Sequence, residues 1–540
     1  MNSDDVTSLI NDNDLLGTGV EDLLSESVYT RASRSTARKL RHTEVVDTPG
    51  LSEIGRWKGY RSYHPPGNTD PWVREALKLY DNETLSDIRG FTRRGEGTPG
   101  MYKSLRKYEG TISRFTDFSD TQRTAMVSAI SKARKAFRVP YKKQPYRPHQ
   151  VGQHIKTDTS AGFTFPGKLK RDVMPEIYQE ARYLAHRIKY SGEQFNPKRV
   201  RFPPCMAGSR GHLSPEDDAK TRLVWVYPAE MLVIEGLFAP IIYQSLTELD
   251  SDCPLMVGKG SQRLYSEWLA NYIDGEKLHG LDFSAFDTKV PPWLIHVAFD
   301  ILKDTIDFEF DGNVRNSASG KRKLGALWRA IKYYFINTPI LMPDGRLFRK
   351  HHGVPSGSYF TQLVDSVVSY ILISYVCELQ DLEVRNLKVL GDDSQFRSPS
   401  SLDLERAQRD CDACGMTLKV EKCDVTEEPS QFKSLGTRYR NGHAYRDDEE
   451  WFKLALYPER VPPDIGTSFT RLVGLWLGGA MFSKKFIRFM DFFQSSYPVP
   501  EFGEFSKDQR KWLELVYGGK APRGWSAKTS LFWRCIFYTL

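Results

Sequence analysis

Cysteine is scarce, with seven residues in a chain of 540. So few thiols in so long a chain do not make a disulfide scaffold, and a reducing compartment is the expectation. The first thirty residues hold seven acids and no Lys or Arg, so no basic-then-apolar leader opens the sequence. The longest apolar run, residues 366–377, falls short of the ~20 residues of a bilayer span. A protein neither secreted nor membrane-inserted is therefore expected. A Walker-type phosphate loop is lacking: Gly320-Lys321 has Arg315 where the first glycine is needed. No internal repeat is evident. No strong charge imbalance is present either. The net charge of +8 permits a nucleic-acid partner without requiring one.

What is present is an ordinary globular composition, 27% charged and 40% hydrophobic, with aromatics at 12%. The length calls for several subdomains packed together. Residues 1–30 are acidic, and Arg31, Arg34, Arg38, Lys39 and Arg41 follow at once. This acid-then-base switch reads as a charged arm over residues 1–45. Helical spacing recurs at 72–79 and 120–137, and residues 140–148 form a proline-rich connector.

The chemistry concentrates further along. Lys388-Val389-Leu390-Gly391-Asp392-Asp393-Ser394-Gln395-Phe396 reads as a β-hairpin with two acids at its tip. Adjacent carboxylates repel, and a hard divalent cation such as Mg²⁺ relieves that repulsion. Upstream, a strand-like run ends at Asp282, and Asp287 follows beside a proline-started helix reaching about residue 302. Asp287 could also be a plain helix cap. Between the acid pairs, Gly353-Val354-Pro355-Ser356-Gly357-Ser358 is a loop that allows close backbone approach. It opens an apolar helix over 359–379, in which Thr361 and Asp365 lie one turn apart. An acid in such a helix is costly without a partner. Residues 159–168, with Thr159, Ser160 and Gly162, form a loop whose amides and hydroxyls could hold phosphates. Lys220 and Arg222 alternate onto one face of a strand and could clamp a triphosphate, or could equally line a solvated edge near Glu216-Asp217-Asp218. Cys411 and Cys414 fit the apolar stripe of a helix over 402–414 better than a zinc site. Residues 431–440 read as a strand pair, and 441–540 as a small helical end domain.

Asp282, Asp392 and Asp393, on two strand ends beside a Gly/Ser loop, suit metal-dependent phosphoryl transfer on a polyanion. A non-enzymatic RNA-binding virion protein fits the charge and aromatics but gives three aligned acids no purpose.

The series Asp282-x4-Asp287, Ser356-Gly357-x3-Thr361-x3-Asp365 and Gly391-Asp392-Asp393 resembles motifs A, B and C of viral RNA-dependent RNA polymerases. Residues 159–166 resemble motif G, Lys220-x-Arg222 motif F, 415–422 motif D and 432–436 motif E. The wording from Gly353 to Gln362 and at Gly391-Asp392-Asp393-Ser394 is most similar to the partitiviruses, double-stranded RNA viruses with small segmented genomes. The resemblance implies an α+β right-hand fold of fingers, palm and thumb, with a small antiparallel palm sheet flanked by helices. It divides the chain into an arm (1–45), an N-terminal extension with fingers (46–276), palm (277–302), fingers (303–345), palm (346–440) and thumb (441–540).

The resemblance also implies roles. Asp282 and Asp392, assisted by Asp393, would hold two Mg²⁺ ions, with Mn²⁺ as the other candidate. Lys220 and Arg222 would bind the triphosphate, and Asp287 would favour ribose. Ser356 and Thr361 would position nucleotide and template. Thr159, Ser160, Gly162, Gly353 and Gly357 would contact RNA. Lys422 would protonate the leaving pyrophosphate, with Lys419 as rival. Asp365 stands where many relatives carry Asn. It can donate a hydrogen bond only when protonated, and nearness to Asp287 would raise one pKa of the pair. Implied partners are RNA template and product, a double-stranded RNA genome, NTPs and viral coat protein, without a membrane, inside a virion in the host cytoplasm. A reverse transcriptase is the nearest rival, disfavoured by Asp287 and Gly391.

Overall fold

The computed structural model describes residues 47–62, 69–192, 194–257, 261–440, 443–517 and 521–526. The charged arm expected over 1–45 lies outside the described residues.

Two sheets organise the chain. The smaller has four strands in the order Arg385–Leu390, Asp393–Ser398, Lys277–Gly280 and Asp424–Thr426, every neighbour antiparallel. It is the antiparallel sheet anticipated for the acid-bearing segments. Its fourth strand, Asp424–Thr426, is too short to be visible as a strand in the sequence. The larger sheet has six strands in the order Asp47–Thr48, Leu51–Arg56, Arg346–Lys350, Pro339–Leu341, Cys205–Gly211 and Thr221–Val226. Its one parallel pairing joins Pro339–Leu341 to Cys205–Gly211. Asp344-Gly345 turns between two of these strands, with Gly345 at φ +88°.

The helix Thr361–Leu379 runs through the centre. It packs on Asp120–Ala136, on Pro292–Lys303 and on the strand Arg385–Leu390. Its neighbour Asp120–Ala136 starts at a reciprocal cap between Ser119 and Gln122. The apolar run at 366–377 proves part of a longer element: all 19 residues of Thr361–Leu379 are long and apolar enough to cross a membrane by length and composition. Most of that helix is buried against its neighbours within the fold.

The helix Leu404–Ala413 is capped by Asp403, and Gly415 follows with φ +77°. Cys411 and Cys414 are both buried free thiols on its inner stripe, as the spacing suggested. The pairing expected within 431–440 differs. Arg438–Arg440 pairs forward with His443–Tyr445, and residues 434 and 437 make only a bridge. The helix Ala318–Ile336 starts behind a Ser317 cap.

A second core forms at the C-terminal end. The helices Asp448–Leu456, Ile465–Leu477 and Lys484–Ser496 pack with Pro71–Tyr80 from the N-terminal half. Asp70 fastens the two. It caps Pro71–Tyr80 through the Trp72 and Val73 amides and accepts from Ser468 Oγ at 2.6 Å and Arg471 Nη2 at 2.7 Å.

Candidate active site

The hairpin closes with Leu390 opposite Asp393, so Gly391 and Asp392 are its two-residue loop. Gly391 has φ +67°, a conformation that favours glycine at the first central position of such a turn. A Cβ there would lie 2.8 Å from Gln362 Nε2. The Gly391 amide donates to Ser366 Oγ at 2.9 Å, which ties the tip to the central helix.

Asp282 lies two residues past the strand Lys277–Gly280, next to that tip. The Leu281 amide donates to Ser394 Oγ at 3.2 Å. On the other side, residues 417–419 clasp the same segment: Ser284 N donates to Thr417 O and Lys419 N to Asp282 O, both at 2.8 Å. Three chain segments thus bring Asp282, Asp392 and Asp393 into one electrostatic neighbourhood. Asp392 and Asp393 reach solvent, yet surrounding protein withdraws water from them and their like charges add. Both carboxyls are pushed up, Asp393 to about 6. Among the described residues, no three His, Cys, Asp or Glu side chains are already drawn together as a metal cage. The donor set is nonetheless hard oxygen on mutually repelling acids, which suits a divalent cation.

Asp287 sits in the short helix Phe286–Lys289, entered through Ala285 in the left-handed region at φ +51°. It is not a cap. Burial and the Asp392 charge push its carboxyl up to about 6, while Arg222 and a hydrogen bond from Asp365 act the other way. Asp365 is fully enclosed, and burial and the Asp287 charge push it well above the carboxylate range. Asp365 is therefore the protonated donor and Asp287 the acceptor. The group that faces Asp365 is Asp287, and both carboxyls of the pair are raised, Asp365 the further.

Arg222 and Lys220 part company. Lys220 pairs with Asp218 at 3.1 Å on the surface, the bland alternative. Arg222 is exposed, and its charge acts on Asp287, Asp392 and Asp393. Lys419 Nζ stands 3.9 Å from Asp282 Oδ1. Lys422 is exposed on a short 3₁₀ turn, its amide donating to Lys419 O. Lys107, which the sequence did not single out, joins this basic wall: burial and the charges of Lys103, Lys419, Lys220 and Arg222 push its ammonium down.

The other named residues act on the scaffold in this structure. Ser356 Oγ accepts from Trp225 N at 3.2 Å, joining the Gly/Ser loop to the Arg222 strand. Thr361 Oγ1 donates to Pro355 O at 2.6 Å. A Cβ on Gly357 would sit 2.0 Å from Trp225 O, one on Gly353 2.7 Å from Asp287 O, and one on Gly162 2.9 Å from Tyr227 O. These glycines permit backbone-to-backbone contact. Thr159 Oγ1 accepts from Lys170 Nζ at 2.6 Å, and Ser160 Oγ accepts from Gly162 N at 3.2 Å. Lys170 is buried beneath that loop, which pushes it down to about 8.

Two buried charges support the Gly/Ser loop. Glu235 accepts from Ser358 Oγ at 2.8 Å, Tyr359 N at 2.8 Å and Tyr227 OH at 2.9 Å. Burial pushes it up to about 7. Lys350, fully buried, donates to Phe335 O, to Ile336 O at 3.0 Å and to Gly353 O at 2.7 Å. Glu235 carried the same signal as Asp365, an acid inside an apolar helix. Lys350 carried none, because Arg346-Leu-Phe-Arg-Lys reads as a solvated strand.

The fold and this constellation are those of a template-copying polymerase of the right-hand type. The chain belongs to the viral RNA-dependent RNA polymerase family, whose model matches residues 57–494. It is 28% identical over 299 residues to the RNA-directed RNA polymerase of Cryptosporidium parvum virus 1, across half of each chain. It is 24% identical over 286 residues to that of White clover cryptic virus 1, across 48% of this chain and 46% of the other. The chain thus spans about half the length of these curated relatives. The RNA-dependent RNA polymerase of a human picobirnavirus shares the fold, with a TM-score of 0.56 at 16% identity over 81% of this chain and 85% of that one.

Proposed function

We propose that this chain is the RNA-directed RNA polymerase of a double-stranded RNA virus. It copies an RNA template by transferring nucleotides from NTPs to an RNA 3′-hydroxyl, in replication and transcription. The observation that carries this reading is the meeting of Asp282 with Asp392 and Asp393, faced by Arg222. Two divalent ions held by these acids, Mg²⁺ or Mn²⁺, would supply activation of the attacking hydroxyl and charge relief for the leaving pyrophosphate.

The chain's own residues do the rest. Arg222 holds the triphosphate, and Lys107 and Lys419 extend its positive field along the cleft. Asp287, kept an acceptor by the proton on Asp365, takes a hydrogen bond from the ribose 2′-hydroxyl. A protonated Asp365 offers Asp287 the same donation an Asn would, which accounts for the acid at this position. Lys419 is the better placed proton donor to pyrophosphate, since it borders Asp282 and Lys422 does not. The similarity to polymerases named from Cryptosporidium parvum virus 1 and White clover cryptic virus 1 supports a role inside a virion in the host cytoplasm. The genome duplex and coat protein would be its partners there.

The test is incorporation of labelled ribonucleotides on a single-stranded RNA template with Mg²⁺, with dNTPs in parallel. Template-length product from rNTPs alone, lost in Asp392→Ala, is the expected result. A preference for dNTPs would favour reverse transcription instead.

A further inference from the structure

A fully buried cation, Lys350, ends the strand Arg346–Lys350. Its side chain donates to three carbonyls, Phe335 O, Ile336 O at 3.0 Å and Gly353 O at 2.7 Å. Three acceptors call for three N–H groups, which an ammonium has and a neutral amine lacks. Two of the three carbonyls end the helix Ala318–Ile336, where the helix dipole is negative. The rings of Trp225 and Phe335 face the same group, with centroids 5.9 and 5.7 Å from Nζ. Burial pushes the ammonium down, and the Asp365 charge acts the other way. An apolar side chain would fill this space without the cost of burying a charge. The cation therefore does something that packing does not require.

The third carbonyl belongs to a strap, residues 350–354, that runs along the backbone of Asp287. The Gly353 amide donates to Val290 O at 2.8 Å and the Val354 amide to Asp287 O at 2.6 Å. Tyr108 OH holds the far end of the strap through Val354 O at 2.9 Å. Gly353, at φ +68°, comes so close that a Cβ would lie 2.7 Å from Asp287 O. The helix Phe286–Lys289 is a single turn, too short to hold itself. The strap thus places the Asp287 backbone, and Lys350 places the strap.

We propose that Lys350 is a positioning residue for sugar selection. By anchoring Gly353 O to the end of the helix Ala318–Ile336, it fixes the backbone of Asp287 and with it the carboxylate that takes a hydrogen bond from the ribose 2′-hydroxyl. The inference rests on the polymerase reading above and on the role given there to Asp287. Without Lys350, Gly353 and Asp287 shift together, the 2′-hydroxyl loses its acceptor, and ATP loses its advantage over 2′-deoxy-ATP.

The experiment is primed incorporation opposite a template uridine by the full chain, with ATP and 2′-deoxy-ATP competing in one reaction. The ratio of their kcat/KM values counts only molecules that turn over, so a partial loss of fold leaves it unmoved. Lys350→Met is expected to lower that ratio at least ~10-fold, on the scale of a displaced positioning group. Separate titrations should place the fall in the KM for ATP, with 2′-deoxy-ATP little changed. Gly353→Ala displaces the same strap with Lys350 in place and is expected to lower the ratio likewise, which keeps the test open should Lys350→Met not fold. In an Asp287→Ala background the acceptor is already gone, and Lys350→Met should lower the ratio no further. Arg471→Met is the control. It removes a cation that donates to Leu454 O at 2.8 Å in the C-terminal core, and it should lower the melting temperature without moving the ratio. A loss shared equally by both nucleotides in Lys350→Met and Gly353→Ala would overturn the proposal, as would a further fall of the ratio in the Asp287→Ala background. A parent chain that extends the primer without preferring ATP would overturn it too, and leave the polymerase reading standing. A parent chain that incorporates neither nucleotide would overturn the polymerase reading itself.

Discussion

The four-stranded sheet carries acids at both ends, and the two ends treat them oppositely. At one end Glu276 is buried and answered from within the chain. Arg385 Nη1 lies at 2.8 Å, Arg397 Nη1 at 3.2 Å, and the Ile273 amide donates at 3.1 Å. Burial opposes its ionisation, yet these donors outweigh burial and hold its carboxyl below the usual range. At the other end Asp282, Asp392 and Asp393 face one another, with Lys419 at 3.9 Å as the nearest ion pair. Their charges add, and the tip carboxyls move up. An acid whose partners are built into the fold serves the fold. Acids left to repel one another serve something that arrives from outside.

That contrast can be broken most sharply at the tip. Asp392→Ala is expected to lower ribonucleotide incorporation by ~10³-fold, the scale of losing a preorganised charge-stabilising group. Its melting temperature should hold or rise, because a repulsion is removed. A large fall in stability would mean that Asp392 is structural after all.

Lys419 sharpens the same end. Lys419→Leu is expected to cut the rate by ~10²-fold as a lost general acid. Lys422→Leu should cost only a few-fold. The check is single-turnover incorporation across pH, where the basic limb of the profile should disappear with Lys419 alone.

The opposite end should fail in the opposite way. Glu276→Gln leaves Arg397 buried without its carboxylate, a change that costs about 3 kcal/mol when a buried pair is broken. Arg385 is partly exposed and finds water, so it adds little. Denaturant unfolding should show the loss, while the rate per folded molecule stays near that of the parent.

The sequence revealed the tip end of this comparison and hid the other. Gly391-Asp392-Asp393 lies between strand formers, so its hairpin and its acids were visible locally. Asp365 announced itself as a charge in an apolar helix, and only its partner needed the structure. Glu276 stands among loop residues before a strand, where an acid is ordinary, and its two arginines lie more than a hundred residues away. The six-stranded sheet was hidden for a related reason. Its strands come from residues 47–56, 205–226 and 339–350, and no local pattern pairs them. The nearness of Lys419 to Asp282 depends on a backbone clasp, Lys419 N to Asp282 O, which spacing does not encode.

The smallest effect is the most diagnostic of why the tip acids are left unpaired. Asp393 and Asp287 are both raised to about 6 without metal. A carboxyl raised in the folded state favours folding fully below its unfolded pKa, and that contribution is lost as pH rises through the folded value. Glu235, raised to about 7, adds to the same trend. The metal-free protein is therefore expected to lose about 1–2 °C of melting temperature between pH 5 and 8 from these groups. Millimolar Mg²⁺ should raise it again at pH 8 and do little at pH 5, where Asp393 holds a proton in place of the ion. Asp392→Asn should flatten both the slope and the Mg²⁺ response, because the main repulsion on Asp393 is gone. Asp365→Asn should flatten the pH slope, because a carboxyl that keeps its proton in the folded protein and loses it on unfolding contributes to that slope across this range, and should leave the Mg²⁺ response unchanged. An unchanged pH slope in Asp365→Asn would show that Asp365 is ionised in the folded protein, and the assignment of the shared proton to it would fall.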